Sequence, residues 1–200
     1  QECHAMKGDV EKLKYIHKLL EDKQGRLWII TEDGRLHRKE TNGKIISRFH
    51  GTEGLTIQDI QQDDFGNFYL ATKDKGVYVV KNGSNVFTRI PNIGNLPIDN
   101  IYISRNNLLY IGSDGMGIYV YDPKTGIVQD NPLFSRLVNL AKSKITSIIE
   151  DNRGNIWVSM LQKGVFMQGN AQNDFNYMGF RLGNRNVIGE NSITSLCVNQ

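Results

Sequence analysis

An internal repeat is the feature that most constrains how this chain can fold. The fourth copy, Ile145-x-x-Ile148-x-x-Asp151-x-x-Gly154-x-Ile156-Trp157, shows the whole pattern. Earlier copies begin at Ile16, Ile57 and Ile98, and an incomplete fifth begins at Ile193. The aromatic residues that end the four full copies are 41, 41 and 47 residues apart, at Trp28, Tyr69, Tyr110 and Trp157. One structural unit is therefore expected to recur along the chain.

Each copy predicts two strands joined by a tight turn, followed by a third strand. In the fourth copy these strands are residues 145–149, 156–158 and 165–167, and Gly164 opens the third. An Asp side chain accepts hydrogen bonds from backbone amides ahead of it, and Gly adopts the positive φ that such a turn needs. The third copy has Ser104 and Asn107 instead, and Asn is the non-glycine residue that best tolerates the left-handed region. We predict positive φ at Gly25, Gly66, Asn107 and Gly154.

The repeat length is typical of a β-propeller blade. A period of about 40–50 residues with four strands per unit is the blade signature. Less regular fourth strands are predicted at 45–49, 86–90 and 175–180. Second strands such as 27–30 and 68–71 are continuous apolar runs, as expected when blades cover both faces. The predicted fold class is all-β: an open arc of about four four-stranded blades, cut from a longer propeller.

The repeat also divides the chain into segments. Residues 1–14 are expected to be a strand remnant of a preceding blade. The blades are predicted at about 15–50, 55–90, 96–134 and 143–180, with the start of the next blade at 186–200. Propeller rings commonly contain more blades than this, so the arc is not expected to close.

Composition excludes several function classes. The formal net charge is only +3 and the bases are scattered, so this segment is not expected to contact nucleic acid. No apolar stretch has the length of a membrane helix, so membrane contact is expected only through downstream segments outside this chain. Cys197 is interpreted as a small buried thiol, and a bridge to Cys3 is a minor alternative.

The residues that usually carry chemistry form no convincing set here. The four histidines, at positions 4, 17, 37 and 50, occupy different predicted elements and favour surface or strand-filling roles. The glycine-containing segment 113–117 opens no helix, so no phosphate cradle is expected. Trp28 and Trp157 are interpreted as packing residues rather than sugar-stacking platforms. We expect no catalytic residues, no metal site and no cofactor.

The motif I-x-x-[IL]-x-x-D-x-x-G-x-[IL]-W-[IV], followed by a glycine-led apolar strand, resembles the two-component regulator propeller repeat. Residues 145–166 are the best copy, and 16–31 and 57–72 are near it. Departures are Asn107 for Gly, tyrosines at 69 and 110, and Met160 where other copies have Thr or Ser. The resemblance covers most of residues 15–200.

The resemblance implies a function that the residues alone do not show. Such propellers are similar to periplasmic sensor regions of inner-membrane hybrid two-component proteins. There the propeller detects an oligosaccharide and relays the signal to a histidine kinase elsewhere in the protein, which controls transcription. A homodimer of the full-length sensor is a further expectation. Alternatives are a propeller enzyme, either a lyase or a glycoside-active protein, and a protein-interaction scaffold.

A ligand site is predicted on one rim of the arc. In a propeller, the links between blades share a rim with the loops between second and third strands. Loops on a rigid scaffold are the usual place for binding residues. Arginine and asparagine offer several directed donors to sugar hydroxyls and carboxylates. The candidate ligand-binding residues, all in the two longest links, are Arg136, Asn139, Lys142, Arg181, Asn184 and Arg185.

Overall fold

The computed structural model describes residue 13, residues 15–130 and 139–169, and the backbone of 175–178. The first blade contains strands β1 (Ile16–Glu21), β2 (Leu27–Thr31), β3 (Leu36–Lys39) and β4 (Ile45–Ile46). The second contains β5 (Ile57–Gln62), β6 (Phe68–Thr72), β7 (Val77–Val80) and β8 (Thr88–Arg89). The third contains β9 (Ile98–Ile103), β10 (Leu109–Ser113), β11 (Ile118–Tyr121) and β12 (Val128–Asp130). The fourth contains β13 (Ile145–Glu150), β14 (Ile156–Met160), β15 (Gly164–Gln168) and β16 (Phe175–Met178).

Each blade is an antiparallel four-stranded sheet whose strands pair in chain order. The blades lie side by side as an open arc, and the first strands β1, β5, β9 and β13 contact one another in sequence. A short 3₁₀ helix, Leu140–Lys142, precedes the fourth blade. None of the helical structure in the described part of the chain is long and apolar enough to cross a membrane. The predicted fold class is confirmed.

The hydrophobic core lies between blades rather than inside them. One cluster joins the first two blades around Trp28, Ile60 and Leu70. A second joins the second and third blades around Tyr69 and Ile101, and a third joins the last two. Every residue of β6 is buried, because this strand is covered on both sides by neighbouring sheets. Stacking of blades is thus what removes the apolar faces from water.

The turn aspartates hold each hairpin with a repeated set of hydrogen bonds. In the fourth blade, Asp151 Oδ1 accepts the backbone N–H groups of Arg153 and Asn155, at 2.8 and 2.9 Å. Its Oδ2 accepts Asn155 Nδ2 and the indole Nε1 of Trp157, both at 2.8 Å. Burial by itself raises the pKa of Asp151, but these hydrogen bonds outweigh it and lower the pKa to about 2. The carboxylate is therefore ionised at neutral pH and satisfies four donors.

The same arrangement recurs in the first two blades. Asp22 Oδ2 accepts Trp28 Nε1 at 2.8 Å, and Asp63 Oδ2 accepts the Tyr69 hydroxyl at 2.9 Å. Both tryptophans, expected only to pack, therefore also anchor their turns. The predicted backbone conformations are confirmed, with φ of +71°, +83°, +58° and +80° at Gly25, Gly66, Asn107 and Gly154.

Each first strand contains a bulge that the sequence did not reveal. The register shifts between Ile16 and Lys18, and in the same way between Ile57 and Asp59. A bulge places two residues opposite one and re-aims the side chains that follow it. The third position of each first strand, which is Lys18, Asp59, Asn100 or Ser147, lies just after this bulge.

The fourth strands are shorter than predicted. Residues 45–49 were expected to be a strand, but β4 ends at Ile46, and β8 contains only Thr88 and Arg89 of the predicted 86–90. The chain leaves the sheet after Ile46 because it crosses to the next blade: His50 forms a parallel bridge with Val86, and Phe49 packs on Trp28. The segments 1–12 and 186–200, Cys3 and Cys197 lie outside the described residues.

The positive φ at Gly154 gives a direct test of the turn. Gly154→Val should destabilise the protein by about 1–3 kcal/mol, because a β-branched residue is strained in the left-handed region. Gly154→Asn is the matched control, since Asn107 already occupies the equivalent position at φ +58°. Urea unfolding of both variants checks this, and a valine variant as stable as the asparagine variant would contradict it.

Candidate functional site

Links between blades and loops between second and third strands share one rim, as predicted from the sequence. Loops between second and third strands hydrogen-bond to the links that enter the next blade. Gly76 N donates to Leu96 O at 3.0 Å, and Gly117 N donates to Ser143 O at 3.3 Å. The loops also bond the link that enters their own blade, as Asp114 N does to Pro97 O at 3.0 Å. Links and loops therefore form one continuous edge of the arc.

Two of the six predicted site residues lie in the described part of this rim. Asn139 precedes the short 3₁₀ helix and Lys142 ends it, and both are exposed. Their backbones are fixed: Asn139 O accepts Ser143 Oγ at 2.6 Å, and Lys142 O accepts Lys163 Nζ at 3.3 Å. This arrangement leaves both side chains pointing away from the packed core. Arg136, Arg181, Asn184 and Arg185 lie outside the described residues, so the six-residue site stays a prediction.

A lysine cross-link on this rim was missed by sequence reasoning. Lys144 Nζ lies 2.8 Å from Asp114 Oδ2 and 2.8 Å from Asp99 Oδ2. Hydrogen bonds to Asp114 and then Asp99 raise the pKa of Lys144, so the ammonium is retained at neutral pH. The cross-link ties the third blade to the link that enters the fourth. No local motif indicated it, because the three residues come from separate elements.

An ion pair with a buried carboxylate joins three first strands. Asp59 is only 2% exposed, and its Oδ1 lies 3.0 Å from Lys18 Nζ of the first blade. Its Oδ2 accepts the backbone N–H of Ile101 of the third blade at 3.1 Å. Burial raises the pKa of Asp59, although Lys18 and Ile101 oppose that effect. Asp59 therefore binds its two neighbouring blades to its own.

The third positions of the four first strands form a row that is better suited to holding blades together than to catalysis. Asp59 is the only carboxylate at the third position of the four described first strands, so it has no second acid beside it in that row. The described residues contain no group of three or more His, Cys, Asp or Glu side chains placed to hold a metal ion. His37 fills a strand position, where it is buried and bonds Ser47 Oγ through Nδ1 at 2.7 Å.

Removal of Lys18 tests the ion pair. Lys18→Met should lower the free energy of unfolding at pH 7 by about 2 kcal/mol, because it leaves the Asp59 carboxylate buried without its cation. The folded-state pKa of Asp59 lies above the ordinary value of 3.8, so acidification protonates it in the folded state first. The deficit should therefore shrink as the pH falls from 7 toward 3.8.

Lys23→Met is the matched control for that experiment. Lys23 pairs with Asp64 at 2.7 Å, but both side chains are about half exposed or more, at 48% and 66%. Exposed pairs contribute little, so this variant should unfold like the parent. Equal urea midpoints for the Lys18 and Lys23 variants at pH 7 would show that the Lys18–Asp59 pair contributes no more to stability than an exposed pair.

A family model for the two-component regulator propeller matches residues 12–33 and 139–162. These stretches contain the first copy of the motif and most of the fourth, including Asp22 with Trp28 and Asp151 with Trp157. Among curated proteins, none matches the chain in sequence.

Several solved structures share the fold. The extracellular domain of a putative hybrid two component system from B. thetaiotaomicron superposes with a TM-score of 0.71 at 19% identity, covering 90% of this chain and 24% of that chain. A second such domain from B. thetaiotaomicron gives 0.65 at 20% identity, covering 82% and 23%. Virginiamycin B lyase from Staphylococcus aureus gives 0.66 at 12% identity, covering 84% and 57%.

These likenesses establish the propeller architecture, which sensor domains and a lyase share. The chain spans about a quarter of the length of the two sensor-system domains. The likeness to the two-component regulator propeller comes instead from the two matched stretches of sequence. Residues 12–33 and 139–162 of the chain are similar to the two-component regulator propeller repeat.

Proposed function

We propose that this chain is part of an extracytoplasmic sensor module of a hybrid two-component signalling protein. The observation that carries the proposal is the pair of family repeats at residues 12–33 and 139–162. Structures of extracellular domains of such systems share the fold, which supports an extracytoplasmic location for this chain. The periplasm is the proposed location, with the propeller belonging to an inner-membrane protein.

The proposed signal is an oligosaccharide that binds on the rim of links and loops. The rim has a rigid base, because Lys144 and Lys163 fix the backbone of the link before the fourth blade. Asn139 and Lys142 project from this base with amide and ammonium donors, which suit sugar hydroxyls and carboxylates. A ligand that contacts two neighbouring links would bias how the blades sit together. The histidine kinase that receives the signal and controls transcription belongs to another part of the protein, which is proposed to act as a homodimer.

The rival enzyme function has a specific observation in its favour, the fold shared with virginiamycin B lyase. A propeller lyase needs a converging acid and base or a metal on one rim. In the described residues His37 is buried against Ser47, while His17 and His50 are exposed on different blades. The sensor proposal is therefore better supported than the lyase proposal.

Isothermal titration against a panel of oligosaccharides, with product analysis, separates the three functions. Saturable binding without turnover is expected for a sensor. Released product would favour an enzyme, and the absence of any saccharide binding would contradict the proposal and leave the scaffold alternative.

Variants on the rim test where the ligand binds. Arg136→Ala with Arg185→Ala, and separately Asn139→Ala with Lys142→Ala, should weaken binding at least about tenfold, a loss of roughly 1.4 kcal/mol. The melting temperature should not change, since these are link residues. Lys124→Ala is the control, because Lys124 is exposed in a turn on the opposite rim. Undiminished binding in both double variants would reject this rim.

A further inference from the structure

A groove between the first two blades carries a concentration of positive charge. It lies on the rim opposite the loops between second and third strands, among the turns that join first to second and third to fourth strands, where the link to the second blade begins. Its volume is about 430 Å³, and its walls come from the first-blade strands β2–β4, residues 48–50 and the second-blade turn at 81–85. Arg26, Arg38, Arg48 and Lys81 line it, and its lining contains no Asp or Glu. A positive, open groove of this size fits one or two sugar rings that carry negative charge.

Two of the four cations are available to a ligand. Arg26 Nε is bound to Asp22 and Arg38 Nε to Glu40, at 2.7 and 2.6 Å. Within the described residues, the side chains of Arg48 and Lys81 make no hydrogen bond or ion pair, and both are exposed. Charged groups without a protein partner can bind an anion at little cost in free energy, because no existing ion pair has to be broken.

The floor of the groove is rigid and aromatic. Trp28 packs against Phe49 and Phe68, with ring centroids 5.2 and 4.7 Å apart. The Arg38 guanidinium lies 5.0 Å from the Trp28 ring and 5.7 Å from the Phe49 ring, so its position is held by cation–π contacts. Phe49 is only half-buried, so the exposed part of its side chain can contact the apolar face of a sugar ring.

The equivalent groove between the third and fourth blades supplies an internal comparison. It holds about 340 Å³ and is lined by Tyr110 and Ile156, the repeat equivalents of Trp28 and Phe68. There Glu150 belongs to the lining and accepts Arg105 N at 2.8 Å, and the Arg105 guanidinium is bound to Asn152. The repeat therefore builds a groove at both places. Of the two, only the groove between the first and second blades has a lining without carboxylates.

We infer that the groove between the first and second blades binds an anionic saccharide, through a carboxylate or sulfate ester held by Arg48 and Lys81 and a ring packed on Phe49. The inference depends on the proposed function in taking the ligand to be a carbohydrate. It places a binding site on the rim opposite the one proposed above, and names the charge of the ligand.

Titration with matched probes tests the inference. Trigalacturonic acid, its fully methyl-esterified neutral form, a sulfated galactose disaccharide and inorganic sulfate are titrated into the protein. Trigalacturonate or the sulfated sugar should bind at least about tenfold more tightly than the neutral ester, and which of them binds better identifies the anionic group. Affinity should fall with added salt, since the charges are exposed.

Glutamine variants and the NMR signals of the two tryptophans test where the sugar binds. Arg48→Gln with Lys81→Gln should weaken binding of the anionic sugar at least about tenfold. Arg89→Gln with Lys124→Gln removes two exposed charges outside the groove and should change nothing. The chain has only two tryptophans, so their indole N–H signals are separable by NMR, and Trp28 should shift on binding while Trp157 should not.

The outcomes distinguish this site from the proposed function. If the neutral sugar binds as tightly as the anionic one and the groove variant has no effect, the groove inference is wrong while the sensor proposal stands. If only inorganic sulfate binds, and through the groove, the saccharide assignment of the groove is wrong, while the oligosaccharide panel still decides the sensor proposal. If no probe binds, the groove inference is likewise wrong.

Discussion

The turn carboxylate is the interaction on which the rest of the structure depends. Asp22, Asp63 and Asp151 each close the hairpin between a first and a second strand and accept a donor from the aromatic residue on the second strand. A carboxylate with four donors is satisfied in one orientation only, so strand pairing and aromatic position are fixed together. The aromatic residue can then face the neighbouring blade, where Trp28 and Tyr69 join interblade clusters. In these three blades one polar contact thus connects the turn to the apolar core between blades.

The third blade has no carboxylate in this turn, and its hairpin is held differently. Ser104 Oγ still accepts Leu108 N at 3.1 Å, but a hydroxyl is too short to also anchor the second-strand aromatic. Asn107 supplies part of the missing support: it adopts the left-handed turn conformation, accepts Asp64 N at 3.0 Å and donates to Asp64 Oδ2 at 3.2 Å. The turn of the third blade is thereby stabilised by the second blade rather than by its own acid.

Features encoded within about thirteen consecutive residues could be predicted from the sequence, and features that join distant elements could not. The Asp-to-Gly turn and its positive φ result from local chemistry, and the recurrence of this motif gives the blade period. The bulge before Asp59, the cross-link through Lys144 and the short β4 depend on neighbouring blades that no local pattern describes. The rim could be predicted because the propeller topology places links and loops at one edge, whereas the groove around Arg48 could not. Its walls meet only after the first two blades have stacked.

The first and last pairs of blades differ at the repeat position that precedes the turn aspartate. Gln62 and Glu150 both lie just before the turn aspartate of their blade, and each accepts a backbone N–H from the preceding blade, from Lys23 and Arg105 respectively. Glutamate performs this task with a carboxylate that also lines the groove beside it. Glutamine performs it without charge, but its Nε2 is buried and unpaired among the described residues, which is unfavourable for stability. Position 62 therefore adds no carboxylate near the first groove, although Gln62 itself is not among the residues that line it, and its unpaired Nε2 is a cost to the fold.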